Sequence, residues 1–252
     1  MKFDVEEDIT KERLWQNESI MSIELALALI FAPAVFWIVY AYYHDRRKPE
    51  PLVLTAFSYF LGFLSGWLCL HAYDILLPVL SIPADPELIQ GLDLKFLVYC
   101  IVVVGLVEEV FKFLPFLGAV TRFSDFNDEM DGIFYASACA LGFASYENIF
   151  YLPSMTGFAL YGRAIASPLS HTVFASIWGH AVGMARIRKK KIWPAVLKGV
   201  GLAALVHGLF DFLTLSPLLR ILGALLLLVA WLWRIRTSER LGEKKRADRL
   251  PA

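Results

Sequence analysis

The chain has 252 residues, with 24 basic and 24 acidic side chains and a formal net charge of zero. Hydrophobic residues make up 58% and charged residues 19%, where an ordinary soluble domain is nearer half apolar and about a quarter charged. Nothing points to nucleic-acid binding, since the basic clusters are short and lie between apolar runs. The apolar excess excludes an ordinary soluble enzyme, because it is gathered in runs of about 20 residues, the length a helix needs to cross ~30 Å of hydrocarbon.

The runs are continuous, not alternating, so they read as helices and not as strands of a barrel. The fold class expected is all-α: a polytopic integral membrane protein with about seven transmembrane helices. Residues 1–19 form a polar, net acidic leader without the basic start of a signal peptide. The first span covers about 20–43, followed by the charged, proline-stiffened loop His44-Asp45-Arg46-Arg47-Lys48-Pro49-Glu50-Pro51. The second covers 52–77 and leads into a turn-rich acidic loop that includes Pro83, Asp85, Pro86 and Glu87. The third covers 94–120, and 122–131 is polar and mostly acidic. The fourth covers 132–152 and the fifth 163–185, which ends at Arg186-Ile187-Arg188-Lys189-Lys190-Lys191. The sixth covers 193–213, Ser216-Pro217 makes a tight turn, and the seventh covers 218–233. Residues 20–235 then form one transmembrane domain, and 236–252 a basic tail. Basic clusters fall in alternate loops, which places the N-terminus outside and the C-terminus in the cytoplasm. Cys69, Cys100 and Cys139 lie inside apolar runs and read as small core residues.

The third run carries an anomaly. Glu108, Glu109 and Lys112 stand where hydrocarbon is expected, and each charge at a bilayer centre costs roughly 2.5–3.5 kcal/mol on insertion scales. Groups this expensive are kept when they pair, face a polar cavity or do chemistry. Spacings of three and four put both carboxylates within reach of the lysine. His207 and Asp211 are four apart and share a face, so the carboxylate can orient the imidazole, or both can hold one ion or water. At ~1.5 Å per residue, His171 and His207 each lie roughly 10 Å below the outer interface, with Glu108 and Glu109 slightly deeper. Glu147-Asn148 sits near the outer end of the fourth span. A shared cavity open to the outer leaflet follows. His180 is nine residues from His171, two and a half turns, and points the other way as a packing histidine. Small residues recur on the fourth span (Ala136, Ala138, Ala140, Gly142, Ala144) and at four-residue spacing on the fifth (Ala175, Gly179, Gly183), which reads as close helix packing.

These residues form an ordered set. Glu108-Glu109-x-x-Lys112 is followed by Asp131-Gly132-Ile133-Phe134-Tyr135-Ala136, then Gly142-Phe143-Ala144-x-x-Glu147-Asn148-x-x-Tyr151, Ser170-His171-Thr172-Val173-Phe174 and His207-Gly208-x-x-Asp211. Over residues 40–215 the order resembles the PrsW family of intramembrane proteases, which is similar to the CAAX-prenyl endopeptidases and Abi proteins. The resemblance implies peptide-bond hydrolysis inside a bacterial inner membrane. The substrate implied is a membrane protein with a transmembrane segment, such as an anti-sigma factor. The matching catalytic positions are Glu108, Glu109, His171, His207 and Asp211, with Lys112, Glu147 and Asn148 supporting.

Two chemistries fit these positions. A glutamate acts as general base on water while the histidines donate to the oxyanion and Asp211 orients His207. Alternatively His171, His207 and Glu109 hold Zn²⁺, although the His-Glu-x-x-His spacing is absent. A rival class is a proton- or ion-coupled transporter that uses the same groups as a relay. No internal repeat of the transporter kind is visible.

Overall fold

A computed structural model of the chain describes residues 21–44, 49–82, 92–216 and 218–247. The polar leader 1–19, residues 45–48 of the charged loop, residues 83–91 of the acidic loop and the end of the basic tail lie outside the described residues. Those that are described form helices joined by short turns, with no strand.

Each of the seven apolar runs falls on a helical rod. Helix α1 spans Ile23–His44 and α2 spans Leu52–Val79. The third rod is broken into α3 (Leu94–Val98), a π-helical segment (Tyr99–Gly105) and α4 (Leu106–Gly118). Helix α5 spans Glu129–Tyr151, α6 Gly157–Ile187, α7 Ile192–Leu215 and α8 Arg220–Ala247. Four of them, α1, α2, α7 and α8, are long and apolar enough to cross a membrane by length and composition. The third rod is broken into pieces too short to cross alone. Helices α5 and α6 carry more polar and small residues, and α5 is covered by protein on nearly all sides, so lipid does not dictate its composition.

Helix α5 is the centre of the bundle. It packs most extensively against α6 on one side and α2 on the other, and it is buried around nearly its whole circumference. The small residues along it have a direct use: a Cβ on Gly179 of α6 would overlap Gly132 and Ala136 of α5. The polar stretch before α5 makes its cap. Asp128 accepts from the Met130 amide at 2.6 Å, and Asp131 accepts from the Asp128 amide at 2.7 Å, a reciprocal capping box. Asp131 of the motif is therefore a helix-starting residue. Glu50 of the early loop is buried against the same helix, where the Tyr135 hydroxyl donates to its carboxylate at 2.6 Å.

The third rod differs from the uninterrupted helix expected over 94–120. Its π-helical turns end one residue before Leu106, just ahead of the two glutamates. An inserted residue of this kind rotates every later side chain by roughly 100°. The Tyr73 hydroxyl on α2 reaches the carbonyl of Val103 at 3.3 Å within this segment. Against it lies Gly208 of α7, where a Cβ would overlap the backbone of Cys100 and Ile101. That close approach sets the residue next to it, His207, against α4. Below the site an aromatic cluster fills the core, with Trp178 edge-on to Phe113 and Phe116 at centroid distances of 5.4 and 5.0 Å.

Candidate active site

The rods bring four helices to one polar cluster inside the apolar bundle. Helix α4 supplies Glu108, Glu109 and Lys112, α5 supplies Glu147, α6 supplies His171 and Trp178, and α7 supplies His207 and Asp211. Glu108, Glu109, Lys112, His171 and His207 are all buried.

Lys112 is the hub. Its ammonium donates to Glu108 Oε2 at 3.2 Å, Glu109 Oε1 at 2.9 Å and His171 Nδ1 at 2.8 Å, so its three protons all have acceptors. It also stands over the Phe143 ring at 4.4 Å. Since an ammonium only donates, His171 Nδ1 accepts and the ring proton sits on Nε2, which donates to Glu147 Oε2 at 2.8 Å. His207 is held in the opposite sense: its Nδ1–H donates to Glu109 Oε1 at 3.0 Å. Its Nε2 then faces Glu108 Oε2 at 3.8 Å and Asp211 Oδ2 at 3.4 Å. The two imidazoles meet edge to face with centroids 5.3 Å apart, and Phe174 stacks on His207.

The two glutamates have separate jobs. Glu109 is committed on both oxygens, because the Trp178 indole N–H donates to Oε2 at 2.8 Å while Lys112 and His207 share Oε1. Glu108 faces the unprotonated nitrogens of both histidines, His207 Nε2 at 3.8 Å and His171 Nδ1 at 4.0 Å, the latter also accepting from Lys112. One donor atom each from Glu108, His171 and His207 lies within 4.8 Å of the others. The sequence leaves open which glutamate is base or ligand, with Glu109 named in the zinc alternative; in the structure Glu109 is hydrogen-bonded to His207 Nδ1, and Glu108 is the carboxylate grouped with the other nitrogens of both histidines. Of the two roles the sequence offers Asp211, its position fits sharing an ion or water with His207: it lies 3.4 Å from Nε2, on the side of Glu108, while Glu109 accepts from Nδ1.

This donor set fits a divalent metal. Each histidine ties one ring nitrogen to a carboxylate, the arrangement by which protein carboxylates fix metal-ligating imidazoles; the other nitrogens lie 3.8 and 4.0 Å from Glu108, that of His171 capped by the Lys112 ammonium. With both rings neutral, the carboxylates of Glu108, Glu109, Glu147 and Asp211 outnumber the cations Lys112 and Arg163 by two, which a divalent cation offsets. Access comes from one end: the Asp211, Glu147 and Arg163 side chains are 21%, 18% and 25% exposed. Arg163 Nη2 is 3.5 Å from Glu147.

A sequence profile described as "PrsW family intramembrane metalloprotease" matches residues 50–234, a stretch that contains every residue of this cluster. The chain belongs to the PrsW family. Curated PrsW relatives cover most of it. Protease PrsW of Oceanobacillus iheyensis is 31% identical over 186 residues, 72% of this chain and 79% of that protein. Protease PrsW of Clostridioides difficile is 28% identical over 229 residues, 87% of this chain and 91% of that one. Protease PrsW of Bacillus subtilis is 28% identical over 210 residues, 80% and 88% respectively. No solved structure matches the chain. As a PrsW member it is an intramembrane protease, a membrane-embedded hydrolase of proteins.

Against the family motifs, the cluster gathers Glu108, Glu109, Lys112, Glu147, His171, His207 and Asp211. Asn148 does not join it. Its amide is buried without a partner among the described residues, one turn from Ser145, whose hydroxyl donates to the Ile30 carbonyl of α1 at 3.4 Å. His180 lies off the site, as its helical face predicts. Trp178 and Arg163 are additions that the motifs do not name. Trp178 had a signal: it follows His171 by seven residues, two turns on the same face.

Proposed function

We propose that this cluster hydrolyses a peptide bond of a membrane-protein substrate, with Glu108, His171 and His207 as the ligands of a catalytic Zn²⁺. The observation that supports the reading is that both histidines are held through one nitrogen by a carboxylate and that the other nitrogens gather with Glu108 within 4.8 Å; the Lys112 ammonium on His171 Nδ1 turns away when the ion binds. A borderline-soft ion such as Zn²⁺ suits imidazole and carboxylate donors, and when bound it supplies Lewis acidity for water activation and carbonyl polarisation.

The chain's own residues do the rest. Glu109, locked by Trp178, fixes the His207 tautomer, and Glu147 fixes that of His171. Asp211 lies at the accessible rim beside His207 Nε2, and it takes the proton from water and returns it to the leaving amine. Lys112 compensates the carboxylates in low dielectric and keeps the empty cluster from flying apart by like-charge repulsion. Burial of the cluster among helices excludes bulk water, so a helical substrate segment unwinds locally to present its scissile bond.

The seven rods all cross a bacterial inner membrane in this reading, N-terminus outside and C-terminus in the cytoplasm. It is supported by the alternation of basic loops and by the bacterial relatives. The rim residues Glu147, Arg163 and Asp211 then open toward the outer leaflet. A single-span signalling protein of the anti-sigma-factor type is the substrate class that the family resemblance favours. Nothing in the fold or the relatives supports the transporter reading.

The test is cleavage of a single-span substrate by the purified protein, with metal content measured on the same sample. One equivalent of zinc, activity lost with chelator and restored by zinc, and no metal in Glu108→Gln or His171→Ala is the expected result. Full turnover by protein shown to be metal-free would return Glu108 to the role of general base and overturn the ligand assignment.

A further inference from the structure

Arg234 on α8 is a buried charge that the protease site does not use, and unlike the buried Glu50 and Asp131 it has no hydrogen-bond partner at its terminal nitrogens among the described residues. The residue is 5% exposed, and both of those guanidinium nitrogens are buried. The Trp233 ring lies 5.7 Å from its Cζ, which offers a cation–π contact but no acceptor. A buried guanidinium left in that state is strongly unfavourable unless a ligand supplies the acceptor.

Arg234 lines a cavity of about 570 Å³ between α1, α5, α6 and α8, within the usual range of ligand sites. Most of the remaining wall is apolar, including Trp37, Leu141, Leu169 and Trp231. This is not the protease site. Helix α6 separates the two, with Thr172 and Ser176 on the cavity side and His171 and Trp178 on the other. A second unsatisfied group lies on the cavity face of α6. His180, one turn beyond Ser176, has its Nε2 buried and without a partner among the described residues. Both groups lie toward the end of the bundle where α6 ends just after Arg186, with Arg188 and Lys189 following it, and where α8 continues with Arg236 and Arg240.

A long apolar cavity with a guanidinium at its basic end matches an amphiphile that carries a phosphate and a hydrocarbon chain. We propose that the cavity binds a glycerophospholipid, one acyl chain lying between α1, α5, α6 and α8 and the phosphodiester accepting hydrogen bonds from Arg234 Nη1 and Nη2. Basic pockets between membrane helices on the positively charged side select phospholipid headgroups in this way, and a planar guanidinium matches two phosphate oxygens at once. Glu239 is the one carboxylate in the wall, and it is exposed at the rim. It disfavours a free phosphate dianion and tolerates a singly charged phosphodiester. The bound lipid would brace α8 against α6, directly behind His171.

The experiment uses the purified full chain in detergent, stripped of lipid, with melting temperature and native mass spectrometry as readouts. Phosphatidylglycerol is expected to bind and raise the melting temperature, whereas diacylglycerol with the same chains and inorganic phosphate do neither. Arg234→Met should weaken phosphatidylglycerol binding at least tenfold, yet melt no lower than lipid-free wild type, because it removes a charge with no partner. Ser137→Phe, which fills the cavity and leaves Arg234 in place, should also lose the lipid. Equal binding of diacylglycerol would make the site merely apolar, and binding of inorganic phosphate alone would make it an anion site. Undiminished binding by Arg234→Met or by Ser137→Phe, or a lower melting temperature of lipid-free Arg234→Met, likewise overturns the proposal.

Discussion

Glu108 and Glu109 are adjacent and both buried, yet their amide variants should fail in different ways. Glu109 accepts from three donors, Lys112 at 2.9 Å, His207 at 3.0 Å and Trp178 at 2.8 Å. A glutamine keeps one acceptor oxygen and puts an NH₂ in place of the other. Whichever way the amide turns, a donor meets either the Trp178 N–H or the Lys112–His207 pair. Breaking a buried, hydrogen-bonded charge network in this way costs about 3–5 kcal/mol. At roughly 2–4 °C per kcal/mol for a chain of this size, Glu109→Gln should melt roughly 10 °C below wild type. Glu108→Gln loses one of the lysine's contacts, at 3.2 Å, while Lys112 keeps Glu109 and His171. Its melting temperature should fall by no more than a few degrees, since a single charged hydrogen bond contributes about 1.5–3 kcal/mol and the amide oxygen can still accept it. Cleavage should nevertheless be abolished and the metal lost. The assay is a melting curve in detergent, run beside substrate cleavage and metal analysis. If Glu109→Gln melts with wild type while Glu108→Gln unfolds, the division of labour between the two glutamates is refuted.

Glu147→Gln weakens the grip on the His171 ring, and outer-shell changes of this kind reduce metal affinity or turnover by about 10–100-fold; a zinc titration against a competing chelator measures it, and unchanged affinity would remove Glu147 from the site. Gly208→Ala forces a Cβ into the backbone of Cys100 and Ile101, and overpacking of this kind costs about 1–3 kcal/mol, read as a lower melting temperature; a variant as stable as wild type would mean that the π-helical segment yields easily. His180→Ala should leave cleavage within about twofold, and loss of activity there would undo the facing of α6. A reporter fused after Lys191 should read cytoplasmic and one at Asp85 external; the reverse pattern rejects the proposed orientation.

Much of the cluster was legible because helical periodicity is local. The spacing of Glu108, Glu109 and Lys112 put a cation within one turn of both carboxylates. The four-residue step from His207 to Asp211 put them on one face. The nine-residue step from His171 to His180 separated them. The expense of charge in an apolar run then marked these residues as belonging together. Contacts between helices carried no such local signature. Glu147 meets His171 across 24 residues and Trp178 meets Glu109 across 69, and nothing in either segment alone specifies its partner.

The same boundary runs through the whole protein. Apolar runs long enough to span lipid determined that the chain is helical and roughly where each rod lies, because an unpaired backbone is intolerable in hydrocarbon and only a helix satisfies it segment by segment. The run 94–120 determined that two carboxylates and a lysine are buried, but not which carboxylate faces the histidines. That was decided by the π-helical turns at Tyr99–Gly105 and by the close seat of Gly208 upon them. Both depend on α7 packing against the third rod, and the rotation they set reaches the side chains only once the helices have met.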